Sequence, residues 1–270
     1  MSPGFEGWVD PVLADGMTPR QRVDPASLFR EENAEIVRAQ RNLTARVHIG
    51  GRPVWVKQFR PSDPVDRLMY ALRPGKAVYA WNAAMALIEI GLCTPKPLLG
   101  LRSAGRLGGA SSLIAFEDMG DRPPLRRLLA DDLRQPSERD RLMSELGLCL
   151  RHFHDRGFRH RDLRQSNILV SRGCGSWSFC FLDLNRLRVQ APLTVIQRLR
   201  EVEKLGFPAD GLVPFFDAYM PDRDSEEMAA VYMERNRYAN RLESLPVGRL
   251  IRKAWYYCWE LRAFARARRP

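Results

Sequence analysis

Asp162 and Asn167 stand five positions apart in the segment Arg159-His160-Arg161-Asp162-Leu163-Arg164-Gln165-Ser166-Asn167-Ile168-Leu169-Val170. An aspartate at the first position can accept the proton of an attacking hydroxyl. An amide oxygen at the second can reach a metal ion carried on a nucleoside triphosphate. Together they point to phosphoryl transfer onto an alcohol. A second carboxylate, Asp183, closes the alternating apolar run Ser178-Phe179-Cys180-Phe181-Leu182. Two short strands, Ile168 to Val170 and Trp177 to Leu182, joined by the glycine-containing turn Arg172-Gly173-Cys174-Gly175, predict a hairpin that brings Asn167 and Asp183 to one metal.

The elements that must position these groups are readable on both sides. His160 to Asn167 fits the kinase catalytic-loop pattern H-R-D-L-x-x-x-N, and Asp183-Leu184-Asn185 falls where kinases carry D-F-G. Losing that glycine removes the backbone freedom used for switching, but it leaves the metal-binding carboxylate in place. Upstream, Ala45 to Ile49, the turn Gly50-Gly51 and Val54 to Phe59 predict a two-stranded hairpin. It sets Lys57 where kinases hold the lysine that pairs with ATP phosphates. The preceding turn, Ala39 to Thr44, has no glycine and does not match G-x-G-x-x-G, which leaves Arg41, Asn42 and Thr44 to face the phosphates. The β-type run Ser111 to Phe116 leads into Glu117-Asp118-Met119-Gly120, a segment suited to linking two lobes. Backbone groups of Glu117, Asp118 and Met119 would meet adenine there. Arg139 to Gly157 has helical periodicity and delivers the chain to His160. His152 and His154, two apart on that helix, point in different directions and read as packing and capping residues.

Between lysine and linker, Lys76 to Ile90 reads as a helix with apolar residues at Ala77, Ala80, Trp81, Ala84, Leu87 and Ile88, stopped by Gly91. Ala80-Trp81-Asn82-Ala83-Ala84 followed by Gly91-Leu92-Cys93-Thr94-Pro95-Lys96-Pro97-Leu98 resembles the signature of the lipopolysaccharide kinase family (Kdo/WaaP, InaA-like). The resemblance implies an α+β, protein-kinase-like two-lobed fold in a single domain. An N-lobe of about residues 35–118 would hold an antiparallel sheet and one helix, a mostly helical C-lobe would take 119–270, and 1–34 would be a peripheral segment. It further implies ATP and Mg²⁺ as cofactors and a sugar hydroxyl (heptose or Kdo) of the lipopolysaccharide inner core as acceptor. Asp162 would be the base, Lys57 would lie on the phosphates, and Asn167 and Asp183 would hold the metal. Family members often place a glutamate before the tryptophan as the lysine's partner; here that position is Ala80. Glu89 is nine residues further on, about half a revolution around the helix, and faces the wrong way to substitute. The lysine is therefore held by another carboxylate, or the enzyme is weakened. A small-molecule or protein kinase of the same fold, or a scaffold without turnover, stays open.

Composition sets outer bounds. A chain of 270 residues, 45% hydrophobic and 28% charged, is long enough for one two-lobed unit. No apolar run reaches the length of a membrane span, and Met1 to Gly7 lacks the basic head and apolar core of a signal peptide, so a cytoplasmic protein is expected. The five cysteines form no C-x-x-C pair and read as reduced structural thiols. After Asp183 the chain passes into a helical pattern from Leu193 to Leu205 with no A-P-E element, which argues against peptide substrates. The net charge of +11 gathers in Pro61 to Lys76 (Arg67, Arg73, Lys76) and in Arg249 to Arg269. Such charge favours an anionic partner. No nucleic-acid-binding signature accompanies the charge, which leaves anionic lipid, phosphorylated glycolipid or a plain solvated basic surface; the family resemblance implies an anionic glycolipid met at the inner face of the inner membrane. Leu250 to Arg266 is helical in pattern, aromatic and basic. It suits either the last helix of a core or an interfacial helix whose Arg266 to Arg269 end meets lipid. Oligomeric state is not specified.

Overall fold

A computed structural model describes residues 5–38, 42–60, 75–103, 112–133, 135–173, 175–190 and 192–243. The basic stretch around Arg67 and Arg73, the helix expected at 250–266, and Arg41 lie outside the described residues. The chain divides into two compact units. The first takes the residues up to Pro123 together with Asn167–Ser171 and Ser178–Arg188. The second takes Pro124–Ser166, Arg172–Trp177 and the residues from Val189 onward.

The first unit is built on a six-stranded antiparallel sheet. Its strands are β1 (Phe5–Val9), β2 (Glu35–Arg38), β3 (Asn42–Ile49), β4 (Arg52–Phe59), β5 (Pro97–Ser103) and β6 (Ser112–Glu117), in the order β1-β5-β6-β4-β3-β2. The β3–β4 hairpin closes through Gly50-Gly51, both at positive φ (57° and 79°). A two-residue turn with two left-handed positions matches the twist of the strands, and glycine enters it without a Cβ clash.

Period-2 alternation sorts the side chains of β4 onto two faces. Val54 and Val56 enter a core with Ala45, Val47, Ile49, Leu99, Leu101, Leu113 and Ala115. The first 34 residues, which the sequence leaves as a peripheral segment, help to cover that face. Leu13 of helix α1 (Pro11–Gly16), Met17, and Leu28 and Phe29 of a 3₁₀ turn belong to the same core, and Lys96 is ion-paired with Asp10 at 3.0 Å. A capping box at Thr18 starts the short helix α2 (Pro19–Val23).

The opposite face carries Phe59 and Ile114 and is covered by α3 (Lys76–Glu89) through Ala77 and Ala80. Small residues at Ala77, Ala80, Ala83 and Ala84 are buried along this helix, and they let it lie close to the sheet. Glu89 and Asn82 are exposed on its outer side. Trp81 stacks on Trp8 of β1 with ring centroids 5.9 Å apart.

In the second unit a short helix, α4 (Leu125–Arg127), precedes the long α5 (Pro136–Asp155), which buries Leu142, Met143, Leu146, Leu150, Phe153 and His154. Its C-terminus is followed by Gly157 at φ 78°, where a Cβ would lie 2.1 Å from the Gln190 carbonyl oxygen, and by the two-residue strand β7 (Phe158–Arg159). The hairpin β8 (Ile168–Gly173) and β9 (Ser176–Phe181) follows the catalytic-loop segment, with its base in the first unit and its tip in the second. Leu182 lies beyond β9, ending the strand one residue before the expected position.

The helix expected over Leu193 to Leu205 is shorter. Thr194 forms a capping box with Gln197, so α6 runs Val195–Val202 and gives way to a 3₁₀ turn, Glu203–Leu205. Helices α7 (Leu212–Tyr219) and α8 (Ser225–Glu243) complete the unit around Phe207, Phe215, Phe216, Tyr219 and Tyr232. Gly147 of α5 lets α7 approach closely: a Cβ there would stand 2.5 Å from the Phe215 carbonyl oxygen.

Candidate active site

Lys57 shares its face of β4 with Phe59, and its register partner on β6 is Ile114. The stem crosses apolar ground, with the ammonium 5.2 Å from the Phe59 ring centroid, and the charge emerges at the Asp183 carboxylate. Nζ to Oδ1 is 2.6 Å, with the two side chains 19% and 29% exposed. This pair answers the question the sequence leaves open. On α3, Ala80 is 2% exposed and packed with Phe59, Ala77 and Ile114, so that position holds a methyl group against the sheet. The lysine's carboxylate partner is Asp183.

Asp183 is held by its backbone neighbours. It occupies the left-handed region at φ 58°, a conformation that costs a non-glycine residue of order 1–2 kcal/mol and persists where its surroundings enforce it. Upstream, the Phe181 N–H donates to the Cys93 carbonyl (2.8 Å), the Thr94 hydroxyl donates to the Phe181 carbonyl (2.8 Å), and the Leu182 N–H donates to the Asn167 carbonyl (2.9 Å). Downstream, the single turn Leu184–Arg186 packs on α3, with Leu184 3% exposed. Leu184 anchors where D-F-G would place its phenylalanine. The hairpin thus sets Asn167 beside the residue that precedes Asp183. An amide oxygen and a carboxylate are hard oxygen donors, the kind Mg²⁺ takes.

The linker residues are fixed by a polar network in the same unit. Asp118 accepts from Trp55 Nε1 (3.2 Å) and the Gly120 N–H (3.0 Å), and its other oxygen is 2.5 Å from Arg46 Nη2. Burial pushes the Asp118 carboxyl up, but these donors outweigh it and hold the pKa below the ordinary carboxylate value. The Asp118 side chain is therefore taken up by Arg46, Trp55 and the Gly120 N–H. The Glu117 N–H donates to the Lys96 carbonyl at 2.9 Å, and Met119 follows in irregular backbone.

Asp162 belongs to the second unit. Arg164 Nε lies 3.0 Å from its Oδ1, and its own N–H donates to His160 Nδ1 at 3.3 Å. His160 and Leu163 are fully buried, pinning the loop on both sides of Asp162.

Sequence reading did not single out the loop's main support, Glu201 on α6. This carboxylate is fully buried; it accepts from the Arg161 N–H (2.6 Å) and pairs with Lys204 (2.7 Å) and Arg159 (3.5 Å). Arg161 sits at φ 67°, and the charge-assisted bond to Glu201 opposes that backbone strain. Gln165 adds a second tie through Nε2 to the Leu205 carbonyl (2.6 Å). The one sequence signal was a carboxylate among apolar positions of an amphipathic helix, at Leu199 and Val202. Its loop partners, Arg161 and Arg159, lie about forty residues upstream, beyond the reach of periodicity. His154 packs as expected: its ring is fully buried, with Nδ1 2.5 Å from the Tyr219 hydroxyl.

A model of the lipopolysaccharide kinase (Kdo/WaaP) family matches residues 23–232, a span that holds Lys57, Asp162, Asn167, Asp183 and Glu201. The chain belongs to this family. Membership makes this lipopolysaccharide kinase family protein a phosphotransferase with an alcohol group as acceptor. Among solved structures, one described as WaaP in complex with acyl carrier protein is similar with a TM-score of 0.62 at 19% identity. The likeness covers 85% of this chain and 97% of that one, and it gives both a kinase-like fold. No curated protein sequence matches this chain. Ala80 on α3 stands where family members often place glutamate, and Leu184-Asn185 stands where protein kinases carry Phe-Gly.

Proposed function

We propose that this family member transfers the γ-phosphoryl group of ATP, with Mg²⁺, to a hydroxyl of a heptose or Kdo residue in the lipopolysaccharide inner core. The single observation that carries this reading is the Lys57–Asp183 pair, with Asn167 hydrogen-bonded beside it, in a chain of this family. Asn167 and Asp183 would hold the metal, which when bound neutralises charge on the phosphates. Lys57 donates to phosphate oxygens from a partly buried strand position, where a charge-assisted bond is stronger than in water. Asp162 accepts the proton of the sugar hydroxyl, and Glu201 keeps the Asp162 loop in its set geometry. Backbone groups of Glu117, Asp118 and Met119 meet the adenine edge. Because phosphoryl transfer asks for little covalent chemistry from the protein, positioning and electrostatics supply most of the rate.

The acceptor reading rests on family and charge. A chain of net charge +11 is attracted to phosphorylated glycolipid and to the anionic inner leaflet, where each basic residue near the surface contributes about 1 kcal/mol. No helix among the described residues is long and apolar enough to cross a membrane, so a peripheral contact fits the proposal. Assembly with an acyl carrier protein, the partner in the WaaP structure, is part of the same proposal and is tested by co-purification.

The deciding experiment is transfer of labelled phosphate from Mg-ATP to core oligosaccharide freed of lipid A, by wild type and by Asp162→Asn. The wild type should phosphorylate a heptose or Kdo hydroxyl. The variant should bind Mg-ATP with unchanged affinity and transfer nothing. Failure of the wild type on every inner-core acceptor, with turnover on another alcohol, would move the assignment to a different substrate class.

A further inference from the structure

The first unit also brings together two cysteines that are far apart in sequence and whose thiols play no part in the site described above. Cys93 lies in the segment after α3 and is half-buried, whereas Cys180 of β9 is 1% exposed. They are direct partners in a parallel β-bridge, clamped by the Phe181 N–H to Cys93 carbonyl bond and the Thr94 hydroxyl to Phe181 carbonyl bond, both 2.8 Å. Neighbouring strands run about 4.8 Å apart, inside the Cα separation that a disulfide spans. Arg122 Nη1 stands 3.8 Å from Cys93 Sγ. A cation beside a partly accessible thiol, with a second cysteine directly opposite on the paired backbone, is the arrangement of an attacking cysteine with its resolving partner.

We propose that Cys93 and Cys180 form a hydroperoxide-sensitive pair that closes to a disulfide. The Cys93 thiolate sulfur attacks the distal oxygen of a hydroperoxide, breaking the O–O bond. This leaves a sulfenic acid on Cys93 and releases the alkoxide, or hydroxide from hydrogen peroxide, which takes up a proton. The Cys180 sulfur then attacks the Cys93 sulfur, and hydroxide leaves as water with the Cys180 proton. Two thiols lose two electrons in total, and the peroxide bond gains them.

Electrostatics supports the direction of attack. The hydrogen bond from Cys180 is the largest influence on Cys93 and, together with Arg122, outweighs burial and the Glu117 charge to bring its pKa down to about 6. Cys180 is pushed up by the same bond and by burial, so it keeps its proton until the second step. The pairing also bears on the site already described, because Cys180 lies at the end of β9, three residues before Asp183.

The test treats the full-length folded protein with equimolar hydrogen peroxide. Thiols are then blocked with N-ethylmaleimide, and the protein is digested without reductant for mass spectrometry. The expected product is one Cys93–Cys180 peptide pair with a loss of two hydrogens, about 2 Da, reversed by dithiothreitol. Cys180→Ser should instead accumulate a Cys93 sulfenic acid trapped by dimedone. Cys93→Ser should leave Cys180 unreacted, and Arg122→Gln should slow Cys93 oxidation severalfold. Cys149 of α5 is the internal control. Oxidation of Cys93 no faster than Cys149, or cross-linking that appears only in urea-unfolded protein, overturns the proposal. Neither readout depends on phosphoryl transfer.

Discussion

Replacing Lys57 with methionine keeps the unbranched apolar stem, one atom shorter, and removes its charge, so it separates what the lysine does for stability from what it does for transfer. The pair with Asp183 is 2.6 Å long and less than one-third exposed on either side. At an effective dielectric near 20 the gross attraction is about 6 kcal/mol. Desolvating both groups offsets most of that, and a net stability loss of roughly 1–2 kcal/mol remains. The catalytic loss is larger. Removing one preorganised donor from the point where charge develops costs about 3–4 kcal/mol of transition-state stabilisation, or roughly 10²–10³ in rate. Urea unfolding should therefore show a modest drop in midpoint at unchanged slope, while single-turnover transfer from Mg-ATP to core oligosaccharide falls by two to three orders of magnitude. A stability cycle with Asp183→Asn should show positive coupling of about 1 kcal/mol, since the single variants each break the same pair. Turnover within about fivefold of wild type, or zero coupling in that cycle, would refute the argument that Asp183 and Lys57 act as a unit.

Ala80→Glu, which restores the glutamate common in the family, should destabilise the protein by roughly 3 kcal/mol and raise no activity, because the side chain would enter the packing of Phe59, Ala77 and Ile114. A stable, more active Ala80→Glu protein would show that the helix position remains a competent partner. Glu201→Gln should cost about 2–3 kcal/mol of stability and lower kcat on the order of tenfold or more, with KM for ATP nearly unchanged, since a neutral amide cannot serve both the Arg161 N–H and Lys204. An unchanged kcat would remove Glu201 from loop positioning. Burial, the largest influence, with further lowering by Arg198, His160, Arg159 and Lys204, holds His154 near pKa 3. The unfolded chain therefore takes up a proton below about pH 6.5 that the native state refuses, and His154 costs stability as the pH falls from there towards 3. Between pH 7 and 5.5 wild type should lose about 1.2 kcal/mol more than His154→Gln in urea titrations; equal losses would show that this ring is not the group responsible.

Much of the site was legible because the groups of the catalytic segment are close in sequence and their spacing follows from their tasks. Asp162 and Asn167 stand in one loop, and a short hairpin links Asn167 to Asp183. The Gly50-Gly51 turn fixes the register that puts Lys57 on the face of Phe59 and Ile114. The covering of the sheet by α1 and the Pro25–Arg30 turn was not legible. Leu13, Met17, Leu28 and Phe29 show no sustained period, and only the sheet they pack on makes them a core. Nor were the two ends of α6 visible, because the Thr194 capping box at its start and the 3₁₀ turn after Val202 break an apolar pattern that runs through both.

The amino-acid sequence by itself determined which residues could carry phosphoryl transfer, that a lysine-bearing strand and a metal-type hairpin would present them, and that α3 lacks its glutamate. Tertiary structure alone decided what compensates. Asp183 takes the lysine, Glu201 takes the strained Arg161 backbone, and Cys93 meets Cys180. These pairings join residues about forty to more than a hundred positions apart, so no local period or propensity encodes them. They arise when hydrophobic burial packs the elements, and a partly or fully buried charge then requires a partner that only the folded chain can bring within reach.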